Sequence, residues 1–233
     1  MTSSFRNDAD RISGFFVDMD DTLYPEWAWV ESGYRAVAWG VNGVSPPEVF
    51  FERLKYEHAK YGRFRIFNRI AEADGLDDAW VRSAVTAYRE NRPEILPYYP
   101  GALAALQRLR TLGPVAVVTD GALAMQQAKV AALALALHVD AIVYTAELGK
   151  PKPAPDAFQQ AGAGLGIDPA RAVIVGDDPL LDIKAANALG CRSIRVRTGR
   201  FPCIEACAGI LPTRDCADFN EAVNALQDGL PHA

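Results

Sequence analysis

The chain has little of what marks several large protein classes. No apolar run is long: Ala131–Leu137 falls far short of the ~20 residues that cross a bilayer. The start, Met1–Arg11, is polar and is expected to fray, and no apolar stretch follows basic residues there. The expectation is a soluble, cytoplasmic protein with no membrane partner. Basic blocks are missing too. Lys and Arg number 24 against 29 Asp and Glu, for a net charge of −5, so the electrostatic footprint of a nucleic-acid binder is not there. The nearest approach is Arg192, Arg195, Arg197 and Arg200, which reads as solvated side chains or as aimed at one small anion. Cysteine is scarce: the 4 residues are Cys191, Cys203, Cys207 and Cys216. No Cys-x-x-Cys spacing occurs and no histidine follows before His232, which argues against a structural zinc and for reduced thiols. Internal repeats and low-complexity tracts are likewise missing.

What is present is apolar bulk. Of 233 residues, 50% are hydrophobic, enough for one large domain or for a core with an insertion. The most informative stretch is Phe15-Phe16-Val17-Asp18-Met19-Asp20-Asp21-Thr22-Leu23. Gly14–Val17 reads as a short buried strand that runs straight into acids. A strand ending in carboxylates delivers them to the edge of a sheet, where open α/β folds place their ligands. Alternation puts Asp18 and Asp20 on one side and Met19 on the other. Two neighbouring carboxylates repel each other, so a cation is their natural third party, and Mg²⁺ prefers oxygen ligands of this kind.

Beyond residue 98 helices and strands alternate. Helices are expected at Ala102–Leu112, Ala122–Leu137, Pro155–Leu165, Leu180–Leu189 and Asp218–Leu226, and strands at Val115–Val118, Ala141–Tyr144, Ala172–Val175 and Ser193–Val196. This rhythm implies an α/β fold, a parallel sheet with helices on both faces. Residues 204–216 are expected to be a surface loop. The segment between Pro25 and Leu96 breaks the rhythm and reads as helices only: Trp27–Trp39, Pro47–Ala59, Phe67–Asp74 and Asp78–Asn91. Trp27, Trp29 and Trp39 are expected in the core of this block.

Each expected strand ends in a chemical signal: Asp18-Met19-Asp20 after the first, Thr119-Asp120-Gly121 after the second, Lys150-Pro151-Lys152-Pro153 after the third, and Gly176-Asp177-Asp178 with Asp182 after the fourth. In a parallel sheet these ends share one edge. A nucleophile, a hydroxyl, a cation and a metal site then converge.

Read in order as DMDDT, TDG, KP and GDDPLLD, the four signals resemble the motifs of the haloacid dehalogenase (HAD) superfamily of Asp-dependent phosphohydrolases, of the helical-cap type. The resemblance implies a Rossmann-like doubly wound core formed by residues 1–24 and 97–233, and an inserted α-helical cap at 25–96. It also implies a Mg²⁺ cofactor and phosphoryl transfer from a small phosphorylated metabolite, a sugar phosphate or nucleotide, through an aspartyl-phosphate. Asp18 would be the nucleophile, and Asp20 would protonate the leaving alcohol and then deprotonate water. The metal would be held by Asp18, the Asp20 carbonyl and Asp177. Lys152 would neutralise phosphoryl oxygens as a point charge, with Lys150 as the alternative. Thr119, Asp120 and Gly121 would line the phosphate site, although Asp120 could instead cap the following helix. Asp178 or Asp182 would orient metal waters or Lys152 from behind. Asp21 would serve the turn.

Substrate choice would come from the cap, with Arg63, Arg65 or Asn68 facing the leaving group. Alternatively this stretch is an exposed loop with Phe64 and Phe67 as packing residues. Three other activities share the fold. A metal-independent haloacid dehalogenase would not need the second acid of the first motif, which is present as Asp20. A phosphomutase would need the cap to retain a phosphorylated intermediate. A non-catalytic binding module would show decay of Asp18, Asp20, Thr119, Lys152 or Asp177, all of which are intact.

Overall fold

The computed structural model describes residues 12–42, 44–199 and 209–229. Arg200, Cys203 and Cys207 lie outside the described residues, as does the stretch 1–11. The chain divides into two compact units. One comprises residues up to Glu26 and from Ile95 onward, the other Trp27–Glu94.

The first unit is built on a six-stranded sheet: β1 (Gly14–Val17), β2 (Val115–Thr119), β3 (Ala141–Tyr144), β4 (Ala172–Gly176), β5 (Arg192–Val196) and β6 (Arg214–Cys216). The strands lie in the order β3-β2-β1-β4-β5-β6, and every pairing is parallel. The three central strands read GFFV, VAVVT and AVIVG, and every residue in them is buried. Continuous apolar, β-branched runs of this kind suit strands covered on both faces by helices. On one face Phe16, Val118 and Ile174 pack with Ala157, Phe158 and Ala161 of α8 (Asp156–Leu165), which follows the single turn α7 (Thr145–Leu148), and with Ala185 and Ala186 of α9 (Lys184–Leu189). The Phe16 and Phe158 rings meet edge to face at 5.5 Å. Elsewhere on the unit α5 (Ala102–Leu112) packs against α10 (Phe219–Asp228), where the Arg108 guanidinium donates to Asn220 and Asn224.

The register fixes the position of the site. Val17 is level with Val117 and with Val175. The residues that follow, Asp18, Thr119 and Asp177, therefore emerge on one edge. The strand order reverses at β1, with β2 on one side and β4 on the other, and ligands of open α/β sheets bind in the crevice at that point.

Three expectations for this unit are corrected. The helix foreseen at 122–137 stops early: α6 covers Leu123–Ala132, Ala134 takes a left-handed conformation (φ 48°), and a 3₁₀ turn follows at Leu135–Leu137. Alanine and leucine favour helix throughout this run, but tertiary contacts override propensity. The amide of Leu96 donates to the Ala132 carbonyl and the Tyr98 hydroxyl to that of Leu133, satisfying the helix end from outside. The helix foreseen at 180–189 begins as a π-helical turn, Pro179–Ile183, before α9. Such turns are rare and gather at functional sites. Residues 214–216, foreseen within a loop, form β6 beside β5. Its three residues are too few for a periodic signal. The thiols of Cys191 and Cys216 are buried and free, and burial pushes them up to about 12 and about 11 respectively.

The second unit is helical: α1 (Glu26–Gly40), α2 (Pro47–Tyr61), α3 (Ile66–Asp74) and α4 (Asp78–Glu90). The Asp77 carboxylate caps α4 by accepting from the Trp80 amide at 2.8 Å, a contact worth about 1 kcal/mol. Of the three tryptophans expected in this core, only Trp29 is buried. Trp39 is 48% exposed because it falls opposite the buried stripe of Val30, Tyr34 and Val37. Trp27, 37% exposed, sits in the first turn with its ring against Tyr34 and His58. Phe67 is buried, whereas Phe64 is 79% exposed.

Candidate active site

Asp18 continues β1 by one residue, its amide donating to the Val175 carbonyl at 2.9 Å. Its carboxylate meets the Lys152 ammonium at 2.5 Å and accepts from the Thr22 hydroxyl at 3.1 Å. The same ammonium lies 2.8 Å from Asp182, and Lys152, Asp18 and Asp182 are all buried. Lys150, two residues earlier, is exposed and pairs with Asp156. The structure thus brings Lys152, and not Lys150, to Asp18. Asp182 reaches the ammonium because the π-helical turn draws it beneath the end of β4. A Cβ on Gly176 would come within 2.3 Å of the Asp182 carboxyl carbon, so only glycine fits there.

One carboxylate oxygen from each of Asp18, Asp177 and Asp182 lies within 4.8 Å of the other two, and all three residues are buried. Acids outnumber the base in this pocket, which accounts for the electrostatics. Burial would push the Lys152 ammonium down, but Asp18, Asp182 and Asp120 outweigh it and hold the group firmly charged. Burial pushes the Asp18 carboxyl up to about 7, opposed by Lys152 and reinforced by Asp182. Burial and the negative neighbours Asp18 and Asp182 push Asp177 up to about 9. A surplus of buried negative charge on hard oxygen donors fits a small divalent cation of the Mg²⁺ type.

The second strand delivers Thr119, buried, with its hydroxyl accepting from the Gln126 side-chain amide at 2.9 Å. Asp120 does not cap α6. Its carboxylate accepts from the Thr145 hydroxyl at 2.7 Å and from the Lys152 amide at 3.1 Å, which ties the end of β2 to the loop carrying the lysine. Gly121 has φ 134°, and a Cβ there would press on Gln126. Asp178 caps the π-helical turn through the Leu180 amide at 2.8 Å, so Asp182 alone of the pair braces Lys152. Asp21 holds its turn at φ 57°: its carboxylate accepts from the Glu26 amide and its carbonyl from the Thr198 hydroxyl.

Asp20 has its own ammonium. Lys129 reaches both of its carboxylate oxygens, at 2.8 and 2.9 Å. The Tyr24 hydroxyl donates to the same carboxylate at 2.5 Å and the Gln126 amide at 2.9 Å. Burial alone would raise the Asp20 carboxyl, but Lys129 and these donors outweigh it and hold the group below the usual range. Sequence reading missed Tyr24, Gln126 and Lys129. The one signal lay in a glutamine and a lysine, three residues apart, within an Ala/Leu-rich helix.

The model of the haloacid dehalogenase-like hydrolase family matches residues 12–190. The chain belongs to this family. It is 30% identical over 204 residues to a glyceraldehyde 3-phosphate phosphatase of Methanopyrus kandleri, covering 83% of this chain and 88% of the relative. It is 30% identical over 190 residues to hexitol phosphatase A of Escherichia coli K12, covering 80% and 83%. The solved structure of a 2-haloacid dehalogenase from Pseudomonas syringae superposes with a TM-score of 0.63 at 23% identity, over 93% of this chain and 99% of the other, and that likeness bears on the fold alone.

The other predicted residues of this HAD-family chain, Arg63, Arg65 and Asn68, belong to the helical unit. Arg65 precedes α3 in a left-handed conformation (φ 52°), and its exposed guanidinium pairs with Glu72 at 3.2 Å. Arg63 is exposed, and Asn68 is half-buried in the first turn of α3. The loop between α2 and α3 is tied down by Arg69, whose guanidinium donates to the Gly62 carbonyl at 2.9 Å and to that of Phe64. Among the described residues no helix is long and apolar enough to cross a membrane.

Proposed function

We propose that this chain is a Mg²⁺-dependent phosphomonoester hydrolase acting on a small phosphorylated metabolite through an aspartyl-phosphate on Asp18. The observation that carries the reading is the pairing of Asp18 with a buried ammonium inside a cluster of surplus carboxylates. A carboxylate attacking a phosphate faces repulsion that only concentrated positive charge relieves. Asp18, the Asp20 carbonyl and Asp177 would hold the metal, which would supply charge neutralisation for the phosphoryl oxygens.

The chain's own groups do the rest. Lys152 screens the nucleophile and the incoming phosphoryl oxygens, kept in place by Asp182. Thr119 and the backbone at Gly121 donate to those oxygens. Asp20 gives its proton to the leaving alcohol and recovers one from the water that opens the acyl phosphate, a role worth ~10²–10⁴ in rate. Asp20 also favours this reading over halide displacement, in which no leaving alcohol needs a proton. The names of the relatives, a triose phosphate and a hexitol phosphatase, favour small sugar or polyol phosphates. We assign Trp27–Glu94 as the substrate-selecting cap, with Arg63, Arg65 and Asn68 as its candidate contacts.

The test is hydrolysis of p-nitrophenyl phosphate with and without Mg²⁺, wild type beside Asp18→Asn. Mg²⁺-dependent turnover that disappears in the variant is expected. Equal turnover by Asp18→Asn, or chloroacetate dehalogenation without metal, would overturn the reading.

A further inference from the structure

Lys129 is as buried as Lys152, at 4% exposure each, yet none of the motifs in the chain claims it. It sits on α6, in an apolar context, and grips both oxygens of Asp20 from 109 positions away in sequence. Gln126, one helical turn earlier, turns its amide nitrogen to Asp20, to Thr119 and to the Asp120 carbonyl, leaving its own buried oxygen without a partner. Tyr24, fully buried in the turn after β1, completes the set. A buried ion pair is a poor device for stability, since apolar residues of similar volume do as well or better. Its better-attested use is to fix one arrangement among several. Three donors from two separate elements fix the orientation of the Asp20 carboxyl, just as Lys152 and Thr22 fix that of Asp18.

We propose that Lys129, seconded by Gln126 and Tyr24, is a positioning residue for proton transfer: it acts through Asp20 to hold that carboxyl at the leaving-group oxygen. The proposal rests on the phosphatase reading above. In the first half-reaction an Asp18 oxygen bonds to phosphorus, the bond from phosphorus to the leaving oxygen breaks, and that oxygen takes a proton through Asp20, which is ionised in the free enzyme and receives that proton from the monoanionic form of the substrate phosphate. In the second, water attacks the phosphorus of the acyl phosphate, Asp20 takes its proton, and Asp18 departs as carboxylate. Lys129 itself neither gains nor loses a proton. Misplacing a reacting group by about 1 Å costs on the order of 10²-fold. In kcat/KM, which reports the first half-reaction, that loss falls on substrates whose leaving group needs the proton.

The experiment compares kcat/KM on three phosphates at fixed Mg²⁺: glycerol 2-phosphate, whose alkoxide must be protonated, and p-nitrophenyl phosphate and acetyl phosphate, whose leaving groups depart as anions. Lys129→Met is expected to lose about 10²-fold on glycerol 2-phosphate and under about 3-fold on the other two, with Lys129→Arg restoring most of the difference. Tyr24→Phe, which removes one hydroxyl at constant volume, should show the same selectivity at about 10-fold and carries the test should Lys129→Met not fold. Equal losses on all three substrates, or none on any, overturn the proposal and leave the phosphatase reading standing. Failure of wild type to turn over any of the three removes that reading and this proposal with it.

Discussion

Replacing Lys152 by methionine keeps the volume of the side chain and removes its charge. The ammonium lies 2.5 Å from Asp18 and 2.8 Å from Asp182, with side chains 2%, 9% and 2% exposed respectively. Water cannot compensate for the loss, and two carboxylates are stranded beside Asp177. Breaking a buried pair by removing one partner costs about 3–5 kcal/mol. For a chain of this size each kcal/mol moves Tm by about 2–4 °C, so a fall of roughly 6–20 °C is expected. Stranded carboxyls take up protons rather than remain charged in low dielectric, which places the outcome toward the smaller end. The assay is differential scanning fluorimetry at pH 7 without divalent cations, with far-UV circular dichroism to show that the fold is retained. The double variant Lys152→Met/Asp182→Asn removes one stranded charge and should recover part of the loss, a coupling of about 0.5–3 kcal/mol. Lys150→Met, whose partner Asp156 is a surface residue, should leave Tm unchanged. A fall under about 2 °C for Lys152→Met, or strict additivity in the double variant, would refute the account of the buried cluster.

Three further outcomes are expected. Gly176→Ala places a methyl within 2.3 Å of the Asp182 carboxyl, so it should displace that brace from Lys152 and lower kcat at least tenfold, measured on p-nitrophenyl phosphate. Asp177→Asn relieves repulsion by Asp18 and Asp182. It should raise the Tm of the metal-free protein and abolish the stabilisation by Mg²⁺, which for wild type at a hundred times Kd is about 2.7 kcal/mol. At Asp140 burial is outweighed by the hydrogen bonds from Arg110 and the Val115 amide, which hold the carboxyl below its usual value. A depressed carboxyl stabilises the fold above its unfolded pKa and loses that contribution as pH falls through the folded one. Asp140→Asn should therefore be less stable than wild type at pH 7 and approach it in acid, read by urea unfolding at pH 7 and pH 3.

The legible parts were local. β1 could be read because an apolar run meets acids within one turn of chain, and the same holds for the ends of β2 and β4. The helices of Trp27–Glu94 were placed to within two residues, since their polar and apolar residues alternate with a helical period. The end of α6 was not legible, because Leu96 and Tyr98, which satisfy its last carbonyls, come from a preceding segment. Nor did the pattern separate Trp29 from Trp39, whose fates depend on which stripe of α1 is covered. At the site, the meeting of Asp18, Asp177 and a lysine of the third motif on one sheet edge could be read. The partner of Asp20 could not, because Lys129 lies in a helix that composition describes only as apolar.

Residue order alone was enough to specify a parallel α/β sheet with four chemical signals on one edge, because strand, turn and helix preferences act over a few residues and the edge follows from parallel connection. Which lysine meets Asp18, that Asp182 and not Asp178 braces it, that Asp120 ties the end of β2 to the loop carrying Lys152, and that Lys129 pairs with Asp20 were decided by tertiary structure. Each depends on a side chain crossing from one strand end or helix to another, over sequence separations at which pattern carries no information and only the packed register of the sheet fixes distance.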